Sequence, residues 1–213
     1  MKDEKRYITN KTTLGTLMVT LVLLLSGCAT KVEVSGNFPT PVFHQMPLTV
    51  GVYYPPTFSQ YTYHETNENR SDRTFGIGSA QVKLFQTILP SIFKSVVPMT
   101  SVNTPNLEQP VDLVLTMTVD DFQYTVPGDT RIDMYEVWIK YNMQLFDPQG
   151  QLIADWILTA YGKSPTAMLK SEGAAINEAM IVALRDAGAG FAMSFDKVPE
   201  IRQWLQHRAN SQI

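Results

Sequence analysis

The chain has 213 residues, 44% of them apolar and 17% charged, with a formal charge of -3. That profile excludes a disordered chain, which lacks the apolar residues to form a core, and it shows no basic footprint for a nucleic-acid partner. A single cysteine excludes an internal disulfide framework and any cysteine-built zinc site.

The N-terminus opens on Lys2, Lys5, Arg6 and Lys11, then runs from Leu14 to Leu25 as LGTLMVTLVLLL without a charge. A helix of that length rises about 18 Å, well short of the roughly 30 Å of a bilayer core. It fits the apolar region of a secretory signal peptide followed by small residues. The next four residues, Leu25-Ser26-Gly27-Cys28, resemble the bacterial lipobox. That resemblance implies a signal peptide of residues 1–27, a diacylglyceryl group on the Cys28 thiol, and an acylated amine on Cys28 after cleavage. A catalytic thiol would need an activating histidine, helix N-terminus or cation beside it, and the local sequence supplies none.

The same resemblance bears on localisation. Ala29 follows the cysteine where an aspartate would favour retention in the inner membrane, which implies outer-membrane placement facing the periplasm in a Gram-negative host. One myristoyl-length chain holds a protein only marginally, whereas two or three on one residue anchor it permanently. Removing residues 1–27 takes four of the 17 basic and two of the 20 acidic residues and leaves a formal charge of -5. A negative body adds no electrostatic hold on anionic lipid. The membrane is therefore the expected partner through Cys28, together with an envelope protein; no nucleic acid and no cofactor is expected.

Residues 28–46 are expected to be the lipidated cysteine and a tether, since Pro39 and Pro41 interrupt a stretch with no sustained period. Its reach is roughly 25 Å as a flexible coil and about 60 Å extended. Val32, Val34, Phe38, Val42 and Phe43 are apolar enough for part of it to lie on the domain.

A single domain is predicted over 47–213. Residues 48–54 alternate as a strand, 58–65 alternate again, and 66–72 form a polar loop. A helix is predicted over 79–97, capped by Ser79 and kinked or split by Pro90. Strands follow over 111–124, 132–146 and 151–162. The second presents Tyr135, Val137, Ile139, Tyr141, Met143 and Leu145 to one side, and Met134, Glu136, Trp138 and Lys140 to the other. The Asp147-Pro148-Gln149-Gly150 turn joins the last two strands, in a register that sets Leu145 opposite Leu152 and Tyr141 opposite Trp156. A long helix over 171–195 carries Ala179, Ala183 and Ala187 on its apolar stripe, a pattern for close packing on a sheet. Pro199 opens a short terminal helix, whose Trp204 and Leu205 dock on the body. The order β(β)-α-β-β-β-α-α is an α+β layer: a mixed or mostly antiparallel sheet of four to five strands with two main helices packed on it.

Chemistry is sparse. His44, His64 and His207 share no metal-ligand spacing, and His64-Glu65 with Glu68 lacks the second histidine of a zinc site. Asp120, Asp121, Asp129 and Asp133 gather about one hairpin, where carboxylates more often end strands and shape turns than hold a cation. Residues 74–81, TFGIGSAQ, have neither GxGxxG nor the lysine of a phosphate loop. Ser164, Ser171 and Ser194 lack a nucleophile elbow. No catalytic residue is assigned, and the chain reads as a non-enzyme. The candidate partner surface is instead the second sheet face with Met134 and Trp138, joined by Tyr61, Tyr63 and Tyr161 as the register allows, and the tip of the long hairpin with Tyr124 and Arg131.

Signal, lipobox, tether and element order together resemble the small outer-membrane lipoproteins of Gram-negative bacteria, among them the lipopolysaccharide-assembly lipoprotein and the auxiliary lipoproteins of ABC-type lipid transport. Only Cys28 carries over from that resemblance. It implies a non-enzymatic adaptor in envelope assembly or transport. The alternative is a carrier that holds a lipid or glycan in a groove between helices and sheet.

Overall fold

The computed structural model describes residues 30–42, 44–67, 70–103, 109–129, 131–166 and 171–211. Among these residues, eight strands form two sheets: β1 (Thr30–Glu33), β4 (Arg70–Gly76) and β3 (Thr62–Asn67) in the order β1-β4-β3, and a five-stranded sheet in the order β5-β2-β6-β7-β8. The latter contains β2 (Met46–Tyr53), β5 (Phe93–Met99), β6 (Leu113–Thr125), β7 (Met134–Phe146) and β8 (Leu152–Pro165). The described residues also hold four α-helices: the single turn α1 (Pro56–Ser59), α2 (Gly78–Ile92), α3 (Glu172–Ser194) and α4 (Pro199–Ser211). Residues 65–73, the tip of the β3–β4 hairpin, belong to a separate small unit from the rest of the described chain beyond Thr30. Within it, Arg73 and Glu65 pair at 4.0 Å.

The sheet is mixed. β2 pairs in parallel with both β5 and β6, while β6, β7 and β8 form an antiparallel meander. The helix expected to reach Val97 stops at Ile92, and the chain continues directly as β5. Pro90 removes a helical hydrogen bond, Val96-Val97 favours an extended backbone, and Pro98 disfavours helix at Val97. α2 is thus the crossover that makes β5 parallel to β2. Its N-terminus also differs from expectation: Ile77, not Ser79, is the cap residue, with no side-chain hydrogen bond. The predicted strand over 58–65 divides into α1, which buries Phe58 completely, and β3.

The last hairpin keeps its predicted faces but in a register slipped by two residues. Leu145 lies opposite Ala154, Met143 opposite Trp156 and Tyr141 opposite Leu158, with a bulge next to Phe146. Asp147 Oδ1 accepts from the amides of Gln149 and Gln151, and Gly150 takes a φ of 81°. A slip of two leaves the side chains from Ala154 onward on their original faces, while the bulge moves Leu152 to the outer face, opposite Phe146.

The core lies between the inner face of the five-stranded sheet and helices α2 and α3. Val137, Ile139, Tyr141, Met143 and Leu145 meet Leu84, Phe85, Ile88, Ala179, Ala183, Leu184 and Phe191 there, all buried. α3 runs antiparallel to β8, as paired contacts show from Ser164 with Glu178 to Trp156 with Phe195. Ser171 caps it, accepting from the Ala174 amide at 3.2 Å. Trp204 and Leu205 of α4 pack on the core as expected.

The stretch expected as a tether joins the body early. Val32, Val34 and Phe38 are buried, and residues 32–41 run as a strap along the whole of α3. The amide and carbonyl of Ser35 are both bonded by the Asn177 side chain, at 2.9 and 3.1 Å. Arg185 donates to the Asn37 carbonyl at 3.0 Å, and Lys83 of α2 donates to the Gly36 carbonyl at 2.9 Å.

Candidate functional site

β7 carries the candidate surface because strand alternation sends its even-numbered residues to the outer face, away from the helices. Trp138 stands there, 38% exposed, with its ring 5.2 Å from that of Tyr161 on β8. The Tyr161 hydroxyl donates to Glu136 Oε1 at 2.5 Å, and Thr125 donates to Glu136 Oε2 at 3.3 Å. That carboxylate bond raises the phenol's pKa above its usual value, with desolvation second. Lys140 pairs with Asp120 at 2.6 Å, and the bond holds its ammonium above the ordinary lysine range. Between these groups lies an open hollow of about 390 Å³ lined by Asp121, Gln123, Thr125, Trp138, Lys140 and Thr159. Further along β8, Ile157 and Leu152 stand 46% and 54% exposed on the same outer face. Toward the β7–β8 turn the face is closed over β6, where Val114 and Thr116 are buried.

The residues singled out from sequence do not all meet. Met134 and Trp138 share the outer face, Met134 half-buried opposite Pro165. Arg131 is exposed at the β6–β7 hairpin tip beyond them. Tyr124 is on the other side of the sheet, its ring edge-on to Phe75 at 4.9 Å. A bulge between Val119 and Asp121 causes this. The extra residue reverses the alternation, so that Phe122 and Tyr124 turn inward opposite Ile139 and Val137. Tyr63 joins them, 4.8 Å from Phe122, and does not belong to the outer face. Glu136, Tyr161, Ile157 and Leu152 complete the surface. Of these, the alternation of β7 already gave Glu136, and sequence reasoning named Tyr161 only conditionally. Ile157 follows from the same alternation on β8, whereas Leu152 is brought to this face by the bulge next to Phe146.

Among the described residues, Asp120, Asp121 and His64 have other partners. Asp120 is committed to Lys140, and Asp121 accepts from Gln123 at 2.6 Å. His64 Nδ1 lies 3.2 Å from the Thr74 hydroxyl. Among the described residues no three His, Cys, Asp or Glu side chains are arranged to hold a metal, and no helix is long and apolar enough to cross a membrane. Cys28 and Glu68 lie outside the described residues. Between helices and sheet, where a carrier's groove was considered, Phe58, Phe85, Phe93, Tyr141, Phe191 and Phe195 fill the layer without exposure. An apolar hollow lies elsewhere, between α2, α3 and the strap, and holds about 200 Å³ among Pro39, Pro41, Leu84, Ile88, Ala192 and Met193. That is below the roughly 300 Å³ at which ligand pockets begin.

No protein-family model and no curated protein matches the chain. A solved structure from Xanthomonas campestris, assigned to the family DUF330, superposes with a TM-score of 0.55 at 14% identity, over 84% of this chain and 99% of that one. A Helicobacter pylori homolog of the neuraminyllactose-binding hemagglutinin gives 0.49 at 14% identity, covering 85% and 100%. A minor lipoprotein from Acinetobacter baumannii gives 0.40 at 11% identity, covering 71% and 92%. At these identities the Xanthomonas likeness shows a shared fold and nothing more.

Proposed function

We propose that the chain is a lipid-anchored outer-membrane lipoprotein facing the periplasm, and that it acts as a non-enzymatic adaptor in envelope assembly or transport. The observation that carries the adaptor reading is the open half of the outer sheet face. There Trp138, Tyr161, Ile157 and Leu152 present apolar surface, while the layer between helices and sheet is filled. Exposed aromatic and branched side chains on a rigid strand pair, rimmed by Glu136, Lys140 and Asp120, have the composition of a protein-binding patch. The anchor rests on the Leu25-Ser26-Gly27-Cys28 motif.

Two measurements test this. Cys28→Ser should leave the domain folded and move it out of the membrane fraction; recovery of the variant in the outer membrane overturns the anchor. Cross-linking in the native envelope followed by pull-down should return a defined partner that Trp138→Ala loses by tenfold or more. Equal capture by the two proteins overturns the patch.

A further inference from the structure

The strap fixes one end of the body close to the lipid. Val32 is buried, and Gly173, the second residue of α3, comes within 3.4 Å of its side chain by the position a Cβ would take. Ser35 then meets Asn177, Gly36 meets Ile181, Asn37 meets Arg185, and Pro39 and Pro41 reach the hollow beside Met193. The strap therefore starts at the N-terminal end of α3. Because α3 is antiparallel to β8, that end also holds Ser164, Pro165, Met134 and the β6–β7 hairpin. Thr166 confirms the neighbourhood: its amide and hydroxyl both donate to the Asp133 carbonyl.

Only four peptide units separate Cys28 from Val32, and a chain of that length spans at most about 14 Å. A diacylated Cys28 is thus held within about 14 Å of a buried core residue, far less than the 25 Å or more of a free tether. Resting on the anchor reading above, we propose that the body sits directly on the bilayer with the β6–β7 hairpin end against the headgroups. The β7–β8 turn points away. β7 has 13 residues, so the two ends stand about 40 Å apart at the usual strand rise.

The hairpin end suits a lipid surface by shape more than by charge. Ile132 in its loop is 54% exposed and follows the exposed Arg131 in the chain. The charged groups at this end are of both signs: Arg131, Lys163 and the Lys31–Glu33 pair, with Asp129, Asp133 and Glu172. Among the described residues these charges of opposite sign offset one another, and the short covalent link itself enforces the contact. Trp138 lies four residues along β7 from Met134, which puts the Trp138–Tyr161 end of the partner patch within about 15 Å of the hairpin end. A partner reaching it is itself at the membrane surface.

The test uses the full lipidated chain in phosphatidylethanolamine–phosphatidylglycerol vesicles bearing a headgroup-attached quencher. Lipidation occupies the native thiol, so Ile132→Cys and Gln149→Cys each carry one dye. The Ile132→Cys label should be quenched at least fivefold more than the Gln149→Cys label. Inserting a roughly 20-residue Gly/Ser linker after Ala29, which restores about 25 Å of reach, should bring both to the same low level. Equal quenching in the unmodified chain, or quenching at 132 unchanged by the linker, overturns the proposal while the anchor stands. Protein that fails to float with the vesicles overturns the anchor, and this proposal with it.

Discussion

Gly162 of β8 lies directly beneath the α3 backbone at Ala183: a Cβ built there would collide with the Ala183 amide and the Ala179 carbonyl. Helix and sheet meet here backbone to backbone, which is why the α3 stripe consists of Ala179, Ala183 and Ala187. Neither atom in the way is the end of a movable side chain. Gly162→Ala should therefore cost about 1–3 kcal/mol, read as a lower urea midpoint. Gly128, with nothing within 4 Å of its Cβ position, is the control: Gly128→Ala should stay within about 0.5 kcal/mol of the parent. Equal effects from the two would show that α3 is not seated as described.

Trp138 and Tyr141 are three residues apart on β7 and lie on opposite faces. Trp138→Ala loses one aromatic pair, with Tyr161, and a partly exposed ring, so it should cost about 1 kcal/mol. Tyr141 is fully buried, donates to Gln81 Oε1 at 3.2 Å and touches the rings of Phe58 and Phe85. Tyr141→Ala should cost about 3–5 kcal/mol. Equilibrium denaturation of both variants checks the contrast. A Trp138→Ala loss as large as that of Tyr141→Ala would make the outer face a core.

These two positions were legible in the sequence because a period of two over 13 residues leaves little choice of face. The α3 stripe was legible for the same reason at a period of 3.6. β5 was not: Phe93, Val96 and Val97 continue the apolar spacing of α2, and the proline constraints at 90 and 98 that end the helix act on the backbone, not on the pattern. Tyr124, expected at the hairpin tip, lies within the paired part of β6 opposite Val137, and one bulged residue at Asp120, which nothing in the residue types marks, turns its side chain inward. The strap was legible only as scattered apolar residues. Its hydrogen bonds come from Asn177, Arg185 and Lys83, which look like ordinary surface residues.

At alkaline pH, Tyr141 and Tyr54 should hold their protons until the fold opens. Burial pushes both phenols well above the usual value near 10. The native state then binds more protons than the unfolded chain above pH 10. Stability is complete below that pH and falls as pH rises toward the folded values. Phenolate absorbance from these two should appear in step with the loss of near-UV circular dichroism. The double variant Tyr54→Phe, Tyr141→Phe should show a smaller absorbance rise in that step. Their ionisation in a folded protein would mean that water reaches the core.

Asn177 binds both backbone groups of Ser35, as a neighbouring strand would, and it is the first polar grip of α3 on the strap, one residue after the Val34 amide donates to the Gly76 carbonyl. Asn177→Ala removes both bonds at an exposed position, where each contributes about 0.5–1.5 kcal/mol. The global loss should be about 1 kcal/mol, because Val34 and Phe38 stay buried. The local effect should be larger, since hydrogen exchange reports the opening of a segment separately from global unfolding. The Ser35 amide should exchange at least tenfold faster in the variant, while amides of β7 exchange as before. Adding Arg185→Ala removes the bond to the Asn37 carbonyl and should extend the fast exchange along the strap. If Ser35 exchanges at the same rate in parent and variant, Asn177 does not hold the strap, and the burial of Val32 and Val34 with the bonds from Arg185 and Lys83 keeps it in place.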